Sequence, residues 1–314
     1  MQNTGLVAFY RNLMPDVPEP PVPLAAATSH YSWPKAATVL GLGSNAVLVQ
    51  RVDQDARLDL DHVEATLTIL LRRRTPVLCA VAVLGSTEES AVDPLAGLLD
   101  LRDRFRARGL NFMVHADAAW GGYFRTTLRD ESEPDQVCGV PTAAMGPYAR
   151  TQYEALGRAD SITVDPHKGG YVPYPAGALC YRNAAMRDLV SLCAPVVFHS
   201  QAEPTVGIYG LEGSKPGSAA VWLAHRVIRP DSSGYGRILG QCLWTSKRLF
   251  CRLATLRDPR FRITCFNRTP AERAGAGQRA LAAERAMIRS FVGLDNAALA
   301  ARLQADPAAH ELFS

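Results

Sequence analysis

Residues 76–84 constrain the fold more than any other stretch. Pro76-Val77-Leu78-Cys79-Ala80-Val81-Ala82-Val83-Leu84 is an unbroken apolar run that ends in the turn formers Gly85-Ser86-Thr87. It is far shorter than the roughly 20 apolar residues of a membrane-crossing helix. Rich in valine and apolar throughout, it reads as a strand buried on both faces, the pattern of a parallel sheet flanked by helices. Residues 93–108 then form an amphipathic helix stopped by Gly109, and a second strand runs from Asn111 to Asp117. A third, short strand, Ser161 to Val164, stops before Pro166. This alternation predicts βαβ units and a mostly parallel sheet.

The remaining pattern fits the same class. Helices are predicted at 6–13, 32–42, 61–73, 148–156, 184–191, 218–229, 236–256, 280–292 and 296–304, and strands at 46–52, 177–182 and 260–267. Residues 15–23 carry five prolines and read as a link. Residues 125–141 and 195–209 read as irregular. The resulting expectation is a three-layer α/β/α large domain over residues 1–240, followed by a linker helix and a partial C-terminal α+β small domain over residues 241–314.

In open α/β sheets, ligands bind beyond the carboxyl ends of the strands. Two of those ends carry reactive groups. The strand ending at Asp117 is followed by Ala118-Ala119-Trp120, and the strand ending at Val164 by Asp165-Pro166-His167-Lys168-Gly169-Gly170. A lysine in such a place is either a solvated surface charge or an amine held for chemistry. A carboxylate and an amine at two strand ends suit pyridoxal 5'-phosphate: the carboxylate keeps the ring nitrogen protonated, the amine takes the aldehyde as a Schiff base, and small residues such as Ala119 let the ring lie flat.

His115-Ala116-Asp117-Ala118-Ala119-Trp120 together with Asp165-Pro166-His167-Lys168 resembles the group II pyridoxal-phosphate-dependent amino-acid decarboxylases, which share the aspartate-aminotransferase fold. The resemblance extends from about Leu6 to the end of the chain. It implies that Lys168 forms the Schiff base, that Asp117 holds the ring nitrogen, and that His30, in Thr28-Ser29-His30-Tyr31-Ser32, stacks on the outer face of the ring. It further implies that Thr87 lies near the ring oxygen and that His167 supports the cofactor or Lys168. Read from the residues alone, His30 fits a helix-start cap or hydrogen bond better than a stacking role, and Thr87 fits a plain turn equally well. The family's phosphate-binding loop would precede Leu6, and its small domain would extend beyond Ser314, so the resemblance reads this chain as truncated at both ends. The turn Gly213-Ser214-Lys215-Pro216-Gly217-Ser218 matches one that approaches the cofactor phosphate of a neighbouring subunit, which implies a homodimer.

Composition excludes several other classes. The net charge is only +4, and no run of like charge exceeds Arg72-Arg73-Arg74, so the chain lacks a nucleic-acid footprint. No membrane span or secretory leader is legible. Seven cysteines without CxxC or zinc-ligand spacing argue against a metal site and for a reducing, cytoplasmic compartment. No GxGxxG or P-loop follows any strand. The implied function is decarboxylation of an L-amino acid. Two alternatives stay open: another pyridoxal-phosphate lyase or transaminase of the same fold, and a weak or inactive family member that acts only as a binding or dimerisation partner.

Overall fold

The computed structural model describes residues 5–17, 19–129, 145–186, 217–260 and 262–313. The chain divides into two compact units, residues 1–120 with 155–223, and residues 121–154 with 224–314.

The first unit is built on a six-stranded sheet. Its strands are β1 (Val22–Ala26), β2 (Leu48–Gln50), β3 (Val77–Val83), β4 (Met113–Asp117), β5 (Ser161–Val164) and β6 (Ala178–Tyr181). The order is β2-β1-β3-β4-β5-β6, parallel throughout except for β6, which runs antiparallel to β5. The helices of this unit begin with α1 (Leu6–Leu13), α2 (Ser32–Val39), α3 (Leu60–Arg73) and α4 (Leu95–Arg106). Asp59 caps α3 by accepting the His62 N–H, and Arg74 closes it in the left-handed conformation.

The centre of the sheet is buried on both faces, as the apolar run of β3 predicts, while the edge strand β6 is largely exposed. On one face Ala25, Val81 and Val83 pack with Ala37 and Trp33 of α2. The alternate side chains Leu24, Ala80, Ala82 and Val114 are equally buried. Helix α4 packs on α3 and runs along β3 and β4, contributing the buried Leu95, Leu98, Leu99 and Phe105. Arg102 of α4 pairs with Asp160 at 2.9 Å, and Asp160 also accepts the Val114 N–H and a bond from Arg182, tying helix and strands together.

The second unit is helical among its described residues. It holds α5 (Pro147–Glu154) and α7 (Tyr235–Thr255), while α6 (Gly217–Val227) runs across the boundary between the units. The chain then continues through α8 (Pro270–Arg273), α9 (Gln278–Ser290), α10 (Asn296–Ala305) and α11 (Pro307–His310). Trp244 and Cys251 of α7 pack with Ile288, Phe291, Leu299 and Leu303 to form its core. Among the described residues, no helix is long and apolar enough to cross a membrane.

The structure departs from the sequence-based expectation in several places. The proline-rich link gives way to a strand: β1 starts at Val22 and includes Pro23. Proline cannot donate to a ladder. Here the register absorbs it, since Val22 lies opposite Val77 but Leu24 opposite Ala80, so two steps on β1 span three on β3. The strand expected at 46–52 shrinks to β2, preceded by a 3₁₀ turn at Ser44–Ala46. The strand expected at 260–267 does not form among the described residues, where the second unit offers no strand to pair with it. Residues 184 and 185 form a turn; the rest of the helix expected at 184–191 lies outside the described residues beyond Met186, as do the segment 195–209, most of 125–141 and the turn residues 213–216.

Candidate active site

Parallel strands put all their carboxyl ends on one edge of the sheet. Four neighbouring strands, β1, β3, β4 and β5, open there onto a cleft of about 310 Å³. The segment after β1 contributes Thr28, His30 and the start of α2; β3 contributes Val83, Gly85, Ser86 and Thr87. From β4 come Asp117, Ala119 and Trp120, and from β5 Thr163, Asp165 and Lys168.

Register fixes the centre. Val83, Asp117 and Thr163 stand side by side across β3, β4 and β5, all lining the cleft. The backbone continues the ladder past the strand ends: the Leu84 N–H donates to the Asp117 carbonyl and the Ala118 N–H to the Thr163 carbonyl. The Asp117 carboxylate is held at both oxygens. Oδ1 accepts the Ala119 N–H at 3.3 Å, and Oδ2 accepts the indole Nε1–H of Trp33 at 3.2 Å.

Two residues earlier on the same face lies His115. It is buried, and its ring sits between two hydroxyls of β5, Ser161 Oγ at 2.8 Å from Nδ1 and Thr163 Oγ1 at 3.2 Å from Nε2. Burial lowers its pKa, partly opposed by the Asp117 charge. Trp33 meets the His115 ring edge to face, centroids 5.4 Å apart.

Lys168 follows β5 in a tight turn, its N–H donating to the Asp165 carbonyl. Its Nζ lies 2.9 Å from Asp165 Oδ2, and His167 Nε2 lies 3.5 Å from the same oxygen. His167 Nδ1 accepts the Ala176 N–H, which puts the proton of the neutral ring on Nε2, facing Asp165. The other face of His167 is stacked on Tyr174 at 3.9 Å.

Of the residues nominated from sequence, Lys168, Asp117, His30, Thr87 and Ala119 line this one cleft, while His167 stands beside Lys168 and outside the lining. His30 is exposed, and its Nδ1 accepts the Ser32 N–H at 3.3 Å and lies 2.9 Å from the Ser32 hydroxyl, so the helix-start contact is present at a residue that also lines the cleft. Thr87 is exposed in a turn closed by Ser86, whose Oγ accepts the Ala91 N–H and donates to Glu89. Sequence reasoning missed Trp33, His115, Asp165, Thr28, Ser86 and Thr163. The period of two along β4 points to His115; nothing in a helix-start tryptophan announces a carboxylate partner 84 positions away.

An amine, a carboxylate and several hydroxyls around an open cleft fit an aldehyde-bearing aromatic ring better than a metal ion. Among the described residues no cluster of three or more His, Cys, Asp or Glu has metal-holding geometry. Comparison with known proteins agrees with this chemistry. The model of the pyridoxal-dependent decarboxylase conserved domain matches residues 11–132, a span that includes His30, Thr87, Asp117 and Ala119 but ends before Lys168. An L-tyrosine decarboxylase of Enterococcus faecium is 36% identical over 245 residues, covering 72% of this chain and 39% of the relative. An L-tyrosine decarboxylase of Levilactobacillus brevis is 36% identical over 251 residues, covering 74% and 40%. An aspartate 1-decarboxylase of Aliivibrio fischeri is 30% identical over 216 residues, covering 68% and 34%. The chain thus spans about two-fifths of the length of the curated tyrosine decarboxylases it matches. In fold it is similar to Oryza sativa TDC, solved with PLP and tryptamine (TM-score 0.63, 17% identity, 84% of this chain and 50% of that one). It is also similar to mouse CSAD in apo form (TM-score 0.60, 21% identity, 80% and 47%).

Proposed function

The chain belongs to the pyridoxal-dependent decarboxylase family, and on that premise we propose that it serves a pyridoxal-phosphate-dependent carboxy-lyase that removes carbon dioxide from an L-amino acid. The observation that carries this reading is the pairing of Lys168 and Asp117 on one cleft, at the carboxyl ends of the adjacent strands β5 and β4. The relatives make L-tyrosine the first substrate to try, since the two most similar proteins named above are tyrosine decarboxylases. Exposed aromatic rings near the cleft, Trp120 on its lining and Tyr31 against His30, suit a planar side chain.

When bound, the cofactor supplies an electron sink for the pair released as the carboxylate leaves. The protein's part is to place and charge the groups around it. Lys168 offers a primary amine that must give up its proton and its contact with Asp165 to act as a nucleophile. Asp117 offers a fixed negative charge to a ring nitrogen, favouring its protonated form. His30, with Nδ1 engaged by the Ser32 N–H, leaves Nε2 as the nitrogen that can hand a proton to a reacting carbon when the ring is an imidazolium, returning to its neutral form as it does so. Thr87 places a hydroxyl on the cleft wall for an oxygen atom of the ligand, while the Ser86 hydroxyl is spent on closing the turn beside it. The same reading carries a cytoplasmic homodimer. In support, the described cysteines are all free thiols, and Tyr31, Val39 and Leu40 leave large apolar surface exposed at α2.

The test is titration of the purified chain with pyridoxal phosphate, followed in the visible spectrum, then borohydride reduction, peptide mapping and assay of carbon dioxide release from L-tyrosine. Label on Lys168 alone, absent in Lys168→Ala, supports the reading. No visible band, or label scattered over other lysines, sinks it.

A further inference from the structure

Trp33 has no part in the chemistry assigned above, yet its placement is specific. It is partly buried and packed against the apolar cluster formed by Ala25, Ala37, Val47, Val81 and Val83. Its edge-to-face contact with His115 fixes the ring from a second side, and His115 is itself pinned by Ser161 and Thr163. A continuous line of contacts therefore runs from the β5 hydroxyls through His115 and Trp33 to Asp117 Oδ2. Among the described residues Asp117 makes no ion pair, so two N–H groups, those of Ala119 and Trp33, are the donors that set its orientation.

The choice of donor matters. An arginine or lysine at this point would cancel the charge that the site is built to present, and would repel a cationic ring. An indole N–H is a donor only and carries no charge, so it orients the carboxylate and leaves its charge in place. Phenylalanine would fill the same space without orienting anything.

We propose that Trp33 is a positioning residue for Asp117, its indole N–H holding the carboxylate in the orientation that pairs with the nitrogen of a pyridine-ring ligand. This rests on the reading of Asp117 as the partner of the cofactor's ring nitrogen.

The test compares affinities of the whole chain for pyridoxal phosphate and for its 1-deaza analogue, in which the ring nitrogen is a C–H. Three proteins are needed: wild type, Trp33→Phe and Asp117→Asn. Trp33→Phe keeps the aromatic packing and removes the donor. It should weaken pyridoxal phosphate binding about fivefold or more, equivalent to roughly 1 kcal/mol, and leave the deaza analogue within about twofold. The deaza arm also controls for misfolding, because a damaged cleft would lose both ligands. Equal losses for both compounds would reduce Trp33 to packing and overturn the proposal. Tighter binding of pyridoxal phosphate would show competition for the carboxylate, and would overturn it too. Asp117→Asn separates this from the underlying reading. If that variant discriminates between the two ligands and Trp33→Phe does not, the inference alone fails. If Asp117→Asn affects both ligands equally, or the wild type binds neither, the reading of Asp117 fails and the inference goes with it.

Discussion

Lys168 Nζ lies 2.9 Å from Asp165 Oδ2, a pair formed across a single turn at the end of β5. Because the lysine side chain is about a third exposed, the pair itself contributes little to stability, on the order of 0–1 kcal/mol. Lys168→Ala should therefore leave the urea midpoint nearly unchanged while abolishing borohydride-fixed label from pyridoxal phosphate. A large drop in stability in this variant would show that the lysine is a structural strut instead.

The pair Arg102–Asp160 behaves differently, because both side chains are largely enclosed. Among the described residues, removing Arg102 leaves the Asp160 carboxylate with the Val114 N–H and the exposed Arg182. Arg102→Ala should cost about 2–4 kcal/mol, near the range for broken buried pairs. Arg182→Ala should cost less than about 1 kcal/mol, as for a surface pair. Urea unfolding of the two variants checks this, and equal costs would contradict the assignment of burial as the deciding factor.

Asp93 is buried where the end of β3 meets the loop before α3, accepting the N–H groups of Val83 and Leu58 at 2.7 Å each. Burial pushes its carboxyl up to about 7, opposed by those two hydrogen bonds. A folded value above the unfolded one means the folded state holds the proton more tightly. The stability this contributes is fully present below the unfolded value near 4 and is lost as pH rises through about 7. The stability difference between wild type and Asp93→Asn should thus shrink in favour of the variant from pH 5 to pH 8. A difference independent of pH would mean the two N–H donors outweigh burial.

His115 has the opposite sign. Burial holds its pKa below the ordinary value, so the folded state takes a proton less readily than the unfolded chain. Its contribution is present above about pH 6.5 and declines as pH falls below that point. Compared with His115→Gln, the wild type should lose stability on going from pH 7.5 to pH 5, read from urea midpoints at each pH. Parallel profiles would show that His115 is protonated without penalty in the folded state.

The parts of this molecule that were legible in its sequence are those where one pattern had one meaning. The apolar run at 76–84 became β3, and the strand–helix–strand rhythm gave α4, β4 and β5 to within two residues at most ends. The strand-end carboxylate and amine, Asp117 and Lys168, meet on one cleft because parallel strands leave no other arrangement. What stayed hidden depended on partners. β1 was masked by Pro23, tolerated only because β3 supplies an extra residue opposite it. Residues 260–267 alternate like a strand but have no described neighbour to pair with. The turn of direction at β6 comes from a return beside β5, which periodicity does not encode. Trp33 and Asp165 were invisible as site residues because their roles arise from contacts made only after the strands assemble.

The cleft draws its lining from Thr28 to Lys168, through four strands that must all be paired in register. Its formation is therefore tied to contacts distant in sequence, which are slow to close during folding. A slip of one residue between β3 and β4, or between β4 and β5, would turn Asp117 to the opposite face and bury it against apolar neighbours. The site thus acts as a proofreader of its own sheet: a chain that has collapsed with strands misaligned is compact and helical, but has no place where Lys168 and Asp117 share a wall.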